Sequence, residues 1–144
     1  MNNQKNIVLC GVGGQGTVLA SKLLAAAAMS KDIPVMSAET IGMAQRGGSV
    51  FSHLRMGDNL YSPMIETGTA DLIIGFEPGE TVRMLPYLKD HGHIVVSTRA
   101  VKPVTATLSG SDYDAPQMLE YLKAAVPNLT LVNADQACAD IGSS

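Results

Sequence analysis

Tryptophan is absent, and two phenylalanines with four tyrosines are all the aromatic side chains available to this chain of 144 residues. Its core must therefore be built from aliphatic residues and from the eight methionines. Cysteine occurs only at Cys10 and Cys138, too few for a disulfide framework and in keeping with a reducing compartment. Charge is sparse as well: 16% of residues are charged and the net charge is −3, with no Lys or Arg cluster that could neutralise successive phosphates. That excludes nucleic acid as an expected partner. Long hydrophobic runs are also missing. The longest, residues 18–29, contains Ser21 and Lys22 and is too short to span a bilayer. The opening Met1-Asn2-Asn3-Gln4-Lys5 has neither the basic nor the apolar region of a signal peptide. The expectation is a soluble cytoplasmic protein with no membrane contact.

What is present is an aliphatic chain, 46% hydrophobic, of a length that suits one domain. Ile7-Val8-Leu9-Cys10 is an unbroken apolar run ended by Gly11, as expected of a strand covered on both faces. Val18, Leu19, Leu23, Leu24 and Ala27 recur at helical spacing and predict a helix over about 15–30. Further strands are expected over 33–37, 49–56, 71–76, 93–98 and 129–133, and helices over 78–88, 115–125 and 134–141. Pro86 should kink or shorten the first of these three helices. Gly57-Asp58-Asn59 reads as a turn into a short extended piece at 60–62, and so as a hairpin. The alternation predicts an α/β fold: a three-layer, Rossmann-like domain whose mostly parallel sheet carries an antiparallel hairpin strand.

Gly11-Val12-Gly13-Gly14-Gln15-Gly16 satisfies G-x-G-x-x-G between a strand and a helix. Glycines there let the backbone turn tightly and bring its N–H groups, with the positive helix end, against phosphate oxygens. A tight connection without ligand is the plain alternative. A nicotinamide dinucleotide is one candidate ligand, with Glu39 near the place of a ribose-binding acid, yet no hydride-transfer dyad or substrate domain is recognisable beyond it.

A second segment, Glu39-Thr40-Ile41-Gly42-Met43-Ala44-Gln45-Arg46-Gly47-Gly48-Ser49-Val50, is more diagnostic. Taken with the first loop, it resembles the gamma-type domain of 2-oxoacid:ferredoxin oxidoreductases, most of all the small subunit of the indolepyruvate type. The resemblance runs on through Phe51 to Asp58 and less specifically to the later strands. It implies one gamma-type domain over 1–144, in a family whose members usually continue past Gly142-Ser143-Ser144. It also implies a share in a thiamine diphosphate enzyme that decarboxylates an aryl pyruvate oxidatively, forms acyl-coenzyme A and reduces ferredoxin through iron–sulfur clusters.

Two isolated cysteines cannot hold a cluster that takes four thiolates, and no Gly-Asp-Gly segment with a downstream Asn is present to bind thiamine diphosphate through Mg²⁺. These cofactors are therefore expected in a large partner subunit, with coenzyme A the ligand the resemblance offers this chain. The cofactor-binding candidates are Gly11, Gly13, Gly14, Gln15 and Gly16, together with Gln45, Arg46, Gly47 and Gly48. Arg46 could hold a carboxylate or phosphate bidentately, or could instead pair with Glu39 or Glu66. Exposed apolar surface near the C-terminus, and self-association through it, are further expectations. No catalytic residue or metal ligand is assigned. His91-Gly92-His93 reads as a turn, His53 as an edge or interface residue, Cys10 as core and Asp114 as a helix cap.

Overall fold

The computed structural model describes residues 3–40, 48–102, 108–110 and 113–142. Among these, six strands form one sheet: β1 (Lys5–Val12), β2 (Val35–Glu39), β3 (Ser49–Met56), β4 (Ala70–Gly75), β5 (Leu88–Ser97) and β6 (Leu129–Val132). Their spatial order is β2-β3-β1-β4-β5-β6. The helices are α1 (Thr17–Met29), α2 (Pro78–Met84), α3 (Ala115–Ala125) and α4 (Ala134–Asp140). β1, β4, β5 and β6 pair in parallel, while β3 runs antiparallel to both of its neighbours, β1 and β2.

Alternation along β1 divides the core into two. Ile7 and Leu9 point to one face and pack with Leu54 beneath Ala20, Leu24 and Ala25 of α1. Val8 and Cys10 point to the other face, where Ile73, Ile94 and Val96 meet Leu122 of α3 and Val82 of α2. The three-layer α/β arrangement expected from the sequence is present.

The expected antiparallel strand is present as β3, but the hairpin expected to return at 60–62 is not. Residues 60–62 form no strand, because both edges of β3 are already occupied by β1 and β2 and leave no position beside it. The turn itself does form, with φ of 121° at Gly57 and 58° at Asn59. The Gln4 side-chain amide then donates to the carbonyls of Asp58 and Asn59, and the chain leaves the plane of the sheet to run over its face. The apolar stripe of α1 is also displaced. Leu19 and Leu23 are exposed, whereas Thr17, Ser21 and Ala28 are buried, so the face with the smallest side chains lies against the sheet. Small residues let the helix approach closely, a requirement that hydrophobicity alone does not reveal. β2 begins two residues later than expected and β5 five residues earlier. Pro86 falls in a single 3₁₀ turn, Leu85–Tyr87, that ends α2.

α2 rests on β4 so closely that a Cβ at Gly75 would lie 1.8 Å from Thr81 Oγ1. Gly75→Ala should destabilise the chain by ~1–3 kcal/mol through overpacking. Urea denaturation measures it, and a change below about 0.5 kcal/mol would contradict such close seating.

Candidate functional site

β1 and β4 lie side by side, but the helices that follow them go to opposite faces and lead to opposite halves of the sheet. The crevice beyond their carboxyl ends is the place where open α/β sheets hold ligands. The glycine loop sits there. Gly14 and Gly16 have φ of 97° and 90°, in the left-handed region where a side chain is strained. Gly16 is the N-cap of α1 and offers no side chain to the first turn, so the leading amides of a 13-residue helix remain available to an anion.

A cavity of about 540 Å³ opens over this turn, lined by Gly13, Gly14, Gly16, Lys22, Glu39 and Thr40 among others. Lys22 adds a positive charge beside the helix end, a contribution that the sequence reading missed. The helical spacing that places it one turn along from Val18 was the available signal.

The two glycine segments meet. The Gly13 N–H donates to the Gly48 carbonyl at 2.8 Å, extending the β1–β3 pairing of Val12 with Ser49. Gln45, Arg46 and Gly47 lie outside the described residues. Gln15 is folded back into the protein: its Oε1 accepts from the Val12 N–H at 2.7 Å and its Nε2 donates to the Phe76 carbonyl at 3.1 Å. Its amide therefore staples the turn to the end of β4. Gly11 lies beneath that staple, where a Cβ would come within 2.9 Å of Gln15 Oε1, Phe76 Cβ and Thr17 Oγ1.

Behind the loop lies a buried acidic pair. Glu77 and Glu80 are 0% and 2% exposed at the start of α2. Glu77 is the cap of that helix, its Oε2 accepting from the Glu80 N–H at 2.9 Å, with the Gly79 and Val101 amides also directed at the carboxylate. Burial raises its carboxyl to about 7 and the neighbouring Glu80 charge adds to the rise, against the lowering effect of the amides it accepts from. Pro78 after an acidic residue was a legible capping signal; the depth of burial was not.

Cys10 lies under the same helix, and burial pushes its thiol up to about 12, so it is a protonated core residue as expected. His53 is 1% exposed on an interior strand, which corrects the edge placement. Its Nδ1 accepts from the Ile65 N–H at 2.9 Å, and burial lowers its pKa, so the ring is neutral with its proton on Nε2. His91 and His93 are exposed at the start of β5, where His93 meets the Thr130 hydroxyl at 2.8 Å. Asp114 caps α3, accepting from the Gln117 N–H. Leu131 of β6 and Ile141 after α4 are exposed, as expected near the C-terminus. No described helix is long and apolar enough to cross a membrane.

A family profile described as pyruvate ferredoxin/flavodoxin oxidoreductase matches residues 6–144. Among curated proteins, the chain is similar to the indolepyruvate oxidoreductase subunit IorB of Archaeoglobus fulgidus. The two are 39% identical over 139 residues, which is 96% of this chain and 69% of that one. Among solved structures, the gamma subunit of a keto/oxoacid ferredoxin oxidoreductase from Geobacter sulfurreducens superposes with a TM-score of 0.64. That match has 20% identity and covers 98% of this chain and 67% of the other. The 2-oxoglutarate:ferredoxin oxidoreductase from Magnetococcus marinus, with 2-oxoglutarate, coenzyme A and succinyl-CoA bound, superposes at 0.68 with 16% identity. It covers 99% of this chain and 22% of that polypeptide. At such identities the structural likeness is one of fold.

Two outcomes follow from this geometry. Gln15→Ala leaves the Val12 N–H and Phe76 carbonyl without their partner and should cost ~1–3 kcal/mol in thermal or urea unfolding. A neutral result would mean that the staple is dispensable. For Glu77, the folded chain between the ordinary value of 4.5 and about 7 keeps a proton that the unfolded chain releases. Its contribution is therefore greatest below pH 4.5 and is lost as pH rises through 7. The melting temperature should fall between pH 5 and pH 8, and Glu77→Gln should flatten that fall; an unchanged slope in the variant would rule out Glu77 as its source.

Proposed function

Because the chain belongs to the pyruvate ferredoxin/flavodoxin oxidoreductase family, we propose that it works as the small subunit of an indolepyruvate-type 2-oxoacid:ferredoxin oxidoreductase in the cytoplasm. The assembled enzyme would break the bond between the carboxylate and the oxo carbon of an aryl pyruvate, releasing CO₂. The acyl carbon would be joined to the sulfur of coenzyme A with loss of the thiol proton, while two electrons pass to ferredoxin. Thiamine diphosphate, Mg²⁺ and iron–sulfur clusters are proposed to sit outside this chain. It has two cysteines, one of them buried as a thiol, and its described residues hold no group of three or more His, Cys, Asp or Glu suited to a metal. A larger partner subunit carries those groups in this reading. A free-standing nucleotide-binding oxidoreductase finds no support among the relatives, which are oxidoreductase subunits.

The observation that carries the reading is the match over residues 6–144, because it takes in the whole cavity above the glycine turn. Coenzyme A is the ligand proposed for that cavity. Its phosphates suit a cradle without Cβ atoms at Gly14 and Gly16, the leading amides of α1 and the Lys22 ammonium. The residues of this chain would bind and orient the carrier; the carbon chemistry belongs to the partner. Gln45, Arg46, Gly47 and Gly48 are proposed for the same ligand or for the contact between subunits.

Anaerobic co-expression with the large subunit should yield a stable complex that reduces ferredoxin with indolepyruvate and coenzyme A, whereas the small chain alone stays inactive. Lys22→Ala should raise KM for coenzyme A about 3- to 10-fold with kcat unchanged, corresponding to roughly 0.7–1.4 kcal/mol of lost phosphate interaction. Failure to assemble, combined with tight NAD(H) binding by the isolated chain, would sink the proposal.

A further inference from the structure

The face of β2 and β3 opposite α1 is crossed by the segment 60–66 rather than by any described helix. Arg55 lies on that face and is held by three neutral acceptors. Nε donates to Asn6 Oδ1 at 3.0 Å, Nη1 to the Ser62 carbonyl at 2.8 Å and Nη2 to Gln4 Oε1 at 3.1 Å. A guanidinium has five N–H groups, so two are left over. No ion pair among the described residues involves Arg55. A fixed, half-buried cation thus lines a polar cavity of about 390 Å³ with no counter-charge bound to it, and Glu66 on the same rim does not reach it.

Beyond Met64, which borders both spaces, a second and almost wholly apolar cavity of about 130 Å³ is floored by Phe51 and His53. His53 Nε2 is buried there without an acceptor among the described residues. Two large apolar side chains of the crossing segment turn outward: Tyr61 is 88% exposed and Met64 54%.

We propose that this face docks the larger partner subunit, through a segment that presents a carboxylate to Arg55 between apolar side chains covering Tyr61 and Met64. Charge complementarity argues for such an occupant. A carboxylate would take the two remaining guanidinium N–H groups and supply the missing counter-charge as water is excluded. Arg, Tyr and Met are also side chains enriched at protein interfaces, Arg and Tyr at their energetic centres. A second copy docked through α1 is a poorer complement: its exposed stripe of Leu19 and Leu23 carries Lys22, of the same sign as Arg55.

The inference rests on the subunit reading, and one experiment separates them. The wild-type chain and variants are titrated with the purified large subunit by biolayer interferometry, at low and high salt. Tyr61→Ala/Met64→Ala, both exposed, should weaken association about tenfold or more while the variant keeps the wild-type melting temperature. Arg55→Lys keeps the charge but not the fork, and should also weaken it while leaving its salt dependence in place. Amides of 60–66 should gain hydrogen-exchange protection in the complex. If the wild type assembles while the Tyr61/Met64 variant binds within twofold of it and Leu19→Asp/Leu23→Asp abolishes binding, the docking face is wrong and the subunit reading stands. If the wild type does not bind the large subunit at all, both fall.

Discussion

The amide of Gln15 joins the two strands on which this domain depends. It accepts from the last residue of β1 and donates to the carbonyl just beyond β4, closing the glycine turn onto the centre of the sheet. Gly11 is part of the same constraint, because the staple occupies the space a Cβ would need. With the turn fixed, Gly13 is brought to the Gly48 carbonyl, and the start of β3 is aligned antiparallel to β1. The glycines thus divide by role: Gly11 makes room for the protein itself, while Gly14 and Gly16 leave room above it.

A second feature is the placing of polar side chains inside an aliphatic core. Thr17, Ser21 and Ser52 carry buried hydroxyls without partners among the described residues, on the face where α1 lies against β3. Their small size lets α1 sit low on the sheet, which in turn exposes Leu19 and Leu23. Glu77 caps a short helix from within the core, and the same amides that make it a good cap also hold down part of the rise that burial imposes on its carboxyl. His53 anchors the segment 60–66 by accepting from a backbone amide, a bond that requires the neutral ring its burial favours. Glu77 and His53 each have a backbone partner that accounts for their position, whereas the glycine loop brings backbone donors, a cation and open space together.

Much of this was legible in the sequence. The apolar run before Gly11 and the glycine spacing located β1, the turn and α1. Asp114 marked the start of α3, and Pro86 the end of α2. These are local signals, each set by the backbone requirements of a few neighbouring residues. The errors fell where a residue's fate depended on distant chain. A turn at Gly57 was correctly read, but whether it returns as a hairpin depends on whether β3 has a free edge, and that was decided by β1. The helical stripe was offset because the sheet selected small side chains over large ones. Alternation with Phe51 and Arg55 predicts an edge or interface role for His53; the edge alternative fails because the strand order puts β3 inside the sheet.

The sequence by itself determined the α/β class, the glycine turn at the end of the first strand and, through the two glycine segments together, the family. Tertiary structure alone decided that β3 lies antiparallel between β1 and β2, that Gln15 faces inward as a staple and that Lys22 and Glu39 share a cavity with the loop. The reason is physical: turns, caps and alternation are fixed by steric and hydrogen-bonding limits within a few residues. Strand order, burial of a charge and the shape of a cavity are fixed by which remote surfaces compete for the same space.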